Sequence, residues 1–109
     1  MTDYGLRADN TPKGAGFFGE LKRPDGNIST EISIGVNINN KETEIPLLVP
    51  TLNKNEVDWL LKTDPKSKSF FQELPQSILR KAVNYASYRI KANKSPFAEA
   101  GEIYDLPSD

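Results

Sequence analysis

Asp58, Asp64 and Glu73 are the first residues to weigh for chemistry. Asp58 and Glu73 flank a short helical pattern and an aromatic loop, with Asp64 between them. Two carboxylates support general acid–base work when their surroundings push their pKa values apart. Nothing else needed for such work accompanies them. The chain has no histidine, so the commonest general base and transition-metal ligand is missing. It has no cysteine, which removes thiolate nucleophiles, thiolate metal sites and disulfides. We read these acids as a solvated face, and the chain as a non-enzyme that carries no cofactor.

The glycine-rich stretch "PKGAGFFG" is the next candidate, for phosphate. It lacks the spacing of a phosphate loop, and it precedes a strand pattern. A phosphate loop needs the order strand, loop, helix N-terminus. The glycines are better read as allowing close approach to a sheet.

A basic, aromatic surface is a third. Lys13, Lys22, Arg23, Arg80, Lys81, Arg89, Lys91 and Lys94 stand with Tyr85 and Tyr88. Stacking and phosphate neutralisation are the usual ingredients of single-strand nucleic-acid binding. The overall balance does not favour it, with 14 basic and 15 acidic residues and a net charge of −1. Glu99, Glu102, Asp105 and Asp109 give the last eleven residues a charge of −4, leaving +3 on the body. An ordinary lysine-bearing helix face is the favoured reading.

The fourth candidate is a binding face. In "ISTEISIGVNI", Ile28, Ile32, Ile34, Val36 and Ile38 alternate with Ser29, Glu31, Ser33, Gly35 and Asn37, and Thr30 completes the apolar row. Period-two alternation is the mark of a half-buried strand. The row Glu31, Ser33, Gly35, Asn37 faces water or receives another chain. Phe70 and Phe71, in the loop "DPKSKSFFQELPQS", are the other candidate contact residues.

The elements that position these residues follow from pattern. Residues 17–23 read as a first strand, and "RPDGN" as a turn in which proline, aspartate and glycine each have a role. Residues 28–38 are a long second strand. Asn39 and Asn40 turn the chain, because asparagine tolerates positive φ. Residues 41–49 are a third strand, with Thr43, Ile45, Leu47 and Val49 on one face. Pro46 makes that strand an edge or ends its pairing. Short links predict an antiparallel three-stranded meander.

The period then changes. Asn53 and Glu56 form an asparagine version of the capping box, with Leu52 and Val57 as its hydrophobic staple, opening a short helix over 54–62. A longer helix runs from Pro75 to about residue 92, with Ile78, Leu79, Ala82, Val83, Ala86 and Ile90 on its apolar side. Arg80, Lys81, Asn84, Ser87, Arg89 and Lys91 fall mostly on the other side. The expected fold class is α+β, a meander covered by two helices. Residues 1–16 read as an arm, 17–98 as one domain and 99–109 as a mobile acidic tail. Ile103, Tyr104 and Leu106 are that tail's candidates for docking. The start, "MTDYGLRADN", does not read as a signal peptide. No stretch is apolar and long enough to span a membrane.

Four segments together carry a resemblance: "YGLRADNTPKGAGFFGELKRPDG", "STEISIGVNINNKETEIPLLVPTLNKNEVDWLL", "LPQSILRKAVNYASYRI" and "KSPF". Over residues 4–98 the chain resembles a small uncharacterised domain that recurs in tailed bacteriophages. That domain is free-standing or a segment of large virion or polyvalent proteins. The loop "KTDPKSKSFFQEL" and the acidic tail depart from its pattern. The resemblance assigns no catalytic residues. It implies a phage structural or accessory protein acting by protein–protein contact, with other virion proteins as partners and a symmetric homo-oligomer as one form. Its place is then the virion, or the host cytoplasm during infection. The alternative is a small early protein that binds and inhibits a host factor, with "EAGEIYDLPSD" mimicking nucleic-acid charge or a short linear motif.

Overall fold

A computed structural model describes residues 4–7, 10–99 and 101–107. The fold is α+β, as expected, but its strands are arranged differently. The order is β1 (Leu21–Lys22), β2 (Ile28–Ser29), β3 (Ser33–Ile38), β4 (Lys41–Pro46), α1 (Lys54–Lys62), α2 (Phe70–Glu73) and α3 (Gln76–Lys91). Among the described residues β1 pairs only with β2, and β3 only with β4, each antiparallel. Two hairpins replace the three-stranded meander.

The reason lies in Thr30, Glu31 and Ile32, which interrupt the expected 28–38 strand. All three are buried. A strand sends successive side chains to opposite faces, so burial of three in a row requires cover on both sides. The second cover is the N-terminal arm. Arg7 donates from Nε and Nη2 to the Glu31 carboxylate, at 2.8 Å each, and the Gly14 N–H adds a third bond at 2.8 Å. The chain changes strand partner at this point. Ile28, expected to face inward, is exposed on β2.

Both turns form for the predicted reasons. At the first, the Asp25 carboxylate accepts from the Asn27 N–H, and Gly26 takes φ +89°. At the second, Ile38 faces Lys41, and Asn39 and Asn40 have φ of +54° and +64°. Positive φ at both central residues is the requirement of a type I′ hairpin.

Register also explains Pro46. A two-residue hairpin makes Ile38 with Lys41 a hydrogen-bonded pair, so pairs alternate from there. Ser33 opposite Pro46 is then a non-bonded pair, and the proline nitrogen points away from β3. Its missing N–H costs the ladder nothing. The Leu47 N–H, one residue on, donates to the Ile32 carbonyl at 2.7 Å. Regular strand ends at Pro46, short of the expected residue 49, although Leu47, Leu48 and Val49 are all buried.

The capping box of α1 is complete. The Asn53 side chain accepts from the Glu56 N–H at 2.9 Å, and Glu56 accepts from the Asn53 N–H at 2.8 Å. Helix α3 buries Ile78, Ala82 and Ala86 in one core with Ile34, Ile38 and Ile45 of the second hairpin. Alanine at two successive turns lets the helix lie close to the sheet. Arg89 corrects the expected polar face, because it is 2% exposed. No described helix is long and apolar enough to cross a membrane.

Candidate interaction surfaces

The outer face of the β3–β4 hairpin carries Ser33, Gly35 and Asn37 opposite Pro46, Glu44 and Glu42. Gly35 and Asn37 are exposed, and Ser33 is half-buried. The glutamate carboxylates lean over Gly35. A Cβ built there would lie 2.9 Å from one Glu42 oxygen and 3.7 Å from one of Glu44. The face is therefore flat, small and acidic at its centre. Glu31, expected on the same row, is absent from it. It is 4% exposed and bonded to Arg7 and Gly14.

Phe70 and Phe71 separate. Phe70 is buried against Trp59, with ring centres 5.6 Å apart. Phe71 is 63% exposed and meets Phe70 edge-on at 5.7 Å. One anchors the loop, and the other is presented by it.

The third surface lies on α3. Tyr88 is 67% exposed, and its ring centre is 6.1 Å from Tyr85. Tyr85 meets buried Phe17 edge-on at 5.4 Å, and Tyr104 approaches Phe17 at 6.2 Å. A run of rings thus leads from solvent into the core. A shallow groove beside it is lined by Thr51, Lys81, Asn84, Tyr85 and Tyr88. Burial, together with hydrogen bonding to Tyr104, raises the Tyr85 phenol above its ordinary pKa.

Two cations that make this helix look basic are already committed. Lys81 Nζ lies 2.6 Å from Glu56 Oε1. Burial alone would raise the Glu56 pKa, but the bonds from Lys81 and the Asn53 N–H outweigh it and lower it. Arg89 donates to Glu102 from Nη1 at 2.9 Å and Nη2 at 2.7 Å, and to the carbonyls of Ser95 and Phe97. The Glu102 bonds raise the Arg89 pKa. Those bonds, with the Glu99 N–H, lower the Glu102 pKa to about 2. The nucleic-acid reading loses much of its charge.

The pair also attaches the segment expected to be mobile. Glu102 bonds Arg89, and the Tyr104 N–H donates to the Phe17 carbonyl at 2.6 Å. The signal for Arg89 was present in the sequence. Position 89 continues the stripe 78, 82, 86 at helical spacing, and only its charge sets it apart.

Asp58 forms an exposed pair with Lys54 at 3.3 Å. Glu73 accepts a long bond from the Ser69 hydroxyl at 3.5 Å, and Asp64 caps its own turn through the Lys66 N–H. Each acid has a local role. Among the described residues no group of three or more potential metal ligands gathers. Comparison with protein-family models, curated proteins and solved structures finds no match.

Proposed function

We propose that this protein works by protein–protein contact, as a structural or accessory component of a tailed-phage particle, and is not an enzyme. The phage half of the proposal rests on the four sequence segments that resemble a recurring phage domain. The contact half rests on one observation, the exposed Tyr88 set at a tilt against Tyr85 beside a groove whose lysine is neutralised by Glu56. Aromatic residues with depleted free charge are the composition of interface centres. Phe71 and the flat face at Gly35 supply further contact area. The partners are other virion proteins, including further copies of this chain, and the place is the particle. The alternative of an early inhibitor built on an acidic tail draws less support, since Glu102 is spent on Arg89.

The test is abundance. Mass spectrometry of purified particles of the encoding phage should find the chain at a fixed, symmetric copy number. Tyr88→Ala should lower incorporation, since loss of a central aromatic anchor commonly costs about 2 kcal/mol or more of binding. Absence of the wild-type chain from particles overturns the proposal.

A further inference from the structure

We infer that the cleft around Arg89, Phe17 and Tyr85 is a receptor for the segment Glu102, Ile103, Tyr104 of a second copy of this chain, occupied in this structure by the chain's own segment. The inference deepens the reading of the protein as a contact module and names one partner for it.

The receptor half belongs to the body. Arg89 is held by the carbonyls of Ser95 and Phe97, and its guanidinium carbon lies 5.1 Å from the Phe17 ring centre. Tyr85 is fixed edge-on to Phe17. None of these contacts involves the tail. What the body lacks is a carboxylate. A buried guanidinium without one is strongly unfavourable, so the cleft selects an acidic ligand that also fills the aromatic side.

The ligand half is attached by points rather than by burial. Glu102 supplies two charge-assisted bonds, and Tyr104 a backbone bond, a side-chain bond to Tyr85 and a ring contact with Phe17. Ile103, Tyr104 and Leu106 each remain about half exposed. Those apolar side chains are left for a neighbouring surface to cover. The segment leaves the body through Gly101, at φ +86°, where an added Cβ would meet nothing within 4 Å. That glycine sits in a turn closed by the Glu102 N–H on the Glu99 carbonyl at 3.0 Å and by the Glu99 N–H on the Glu102 carboxylate at 2.8 Å, so Glu99 and Glu102 cross to a neighbour together, with the turn intact. Binding in trans then uses the same bonds as binding in cis, as in domain exchange.

Two full-length variants test this. Glu102→Gln with Tyr104→Ala gives a chain with an open receptor and a disabled ligand. Arg89→Met gives a disabled receptor and an intact ligand, with a side chain of suitable length for a buried site. Native mass spectrometry of the mixture should show a one-to-one complex, with each variant monomeric alone. If Arg89→Met does not fold, a labelled peptide of residues 99–107 replaces it. That peptide should bind the open-receptor chain at least about tenfold more tightly than wild type, whose own segment competes at high effective concentration. A Gln version of the peptide should bind neither. Folded variants that form no complex, self-association of the open-receptor chain alone, or equal peptide affinity for both chains overturns the inference. Failure here leaves incorporation into particles through Tyr88 separately measurable.

Discussion

Arg89 and Glu102, thirteen residues apart, meet as a two-point fork at 2.9 and 2.7 Å, with Arg89 drawn from the apolar side of its helix. The fork joins the longest helix to the last described segment. Glu102→Gln keeps the shape and removes the charge. It should lower stability by about 2 kcal/mol, in the range for hydrogen bonds to charged groups. A urea midpoint that falls with an unchanged slope is the expected result.

The same pair sets an acid limit. Glu102 has its pKa lowered from 4.5 to about 2 in the folded chain. A lowered carboxylate stabilises the fold above its unfolded value and loses that contribution as pH falls toward its folded value. Stability should therefore decline between pH 4.5 and about 2. Glu56, also lowered, acts in the same direction. Thermal unfolding across that window should show a shallower decline in Glu102→Gln than in wild type.

Two glycines with positive φ should respond differently to alanine. Gly16 has φ +73°, and its added Cβ would lie 2.0 Å from the Thr30 carbonyl oxygen. Gly26 has φ +89° with open space around it. Gly26→Ala should cost about 1 kcal/mol, the left-handed penalty alone. Gly16→Ala should cost well over ~2 kcal/mol, because backbone must also move. Equal midpoints for the two variants would count against this packing.

Thr30 is buried, and its hydroxyl has no hydrogen-bond partner among the described residues. Thr30→Val keeps the shape and removes the unpaired group. It should stabilise the chain by about 1 kcal/mol. Differential scanning calorimetry should show a raised melting temperature.

Gly35→Lys tests the hairpin face. The nearest obstacles are the flexible ends of Glu42 and Glu44, which can swing aside, and the new cation sits between two carboxylates. Folding should change by less than about 1 kcal/mol. Lost incorporation into particles with intact folding would make this face part of the contact surface.

Local elements were legible because their causes are local. The capping box at Asn53, the turn at Gly26 and the paired asparagines at 39 and 40 each depend on a few adjacent residues. The α3 stripe was legible for the same reason. What could not be read was how distant segments meet. Nothing adjacent to Glu31 shows that Arg7, twenty-four residues earlier, will cover it. The arm that carries Arg7 and Gly14 covers the stretch where the expected strand splits. The pattern puts Arg89 on the polar face because a guanidinium is ordinarily solvated, and its exception requires Glu102, thirteen residues on and past the end of the helix.

The proline in β4 makes the second hairpin a ribbon with unequal sides. Along the β4 margin the outward backbone positions are Glu42, Glu44 and Pro46, two acids and a residue with no donor. Along the β3 margin they are Ser33, Gly35 and Asn37, each with its N–H intact. Lateral pairing through β3 therefore consumes the competent margin of each partner and leaves only the blunted ones outside. Such a ribbon favours closing into a pair over propagating into a fibre.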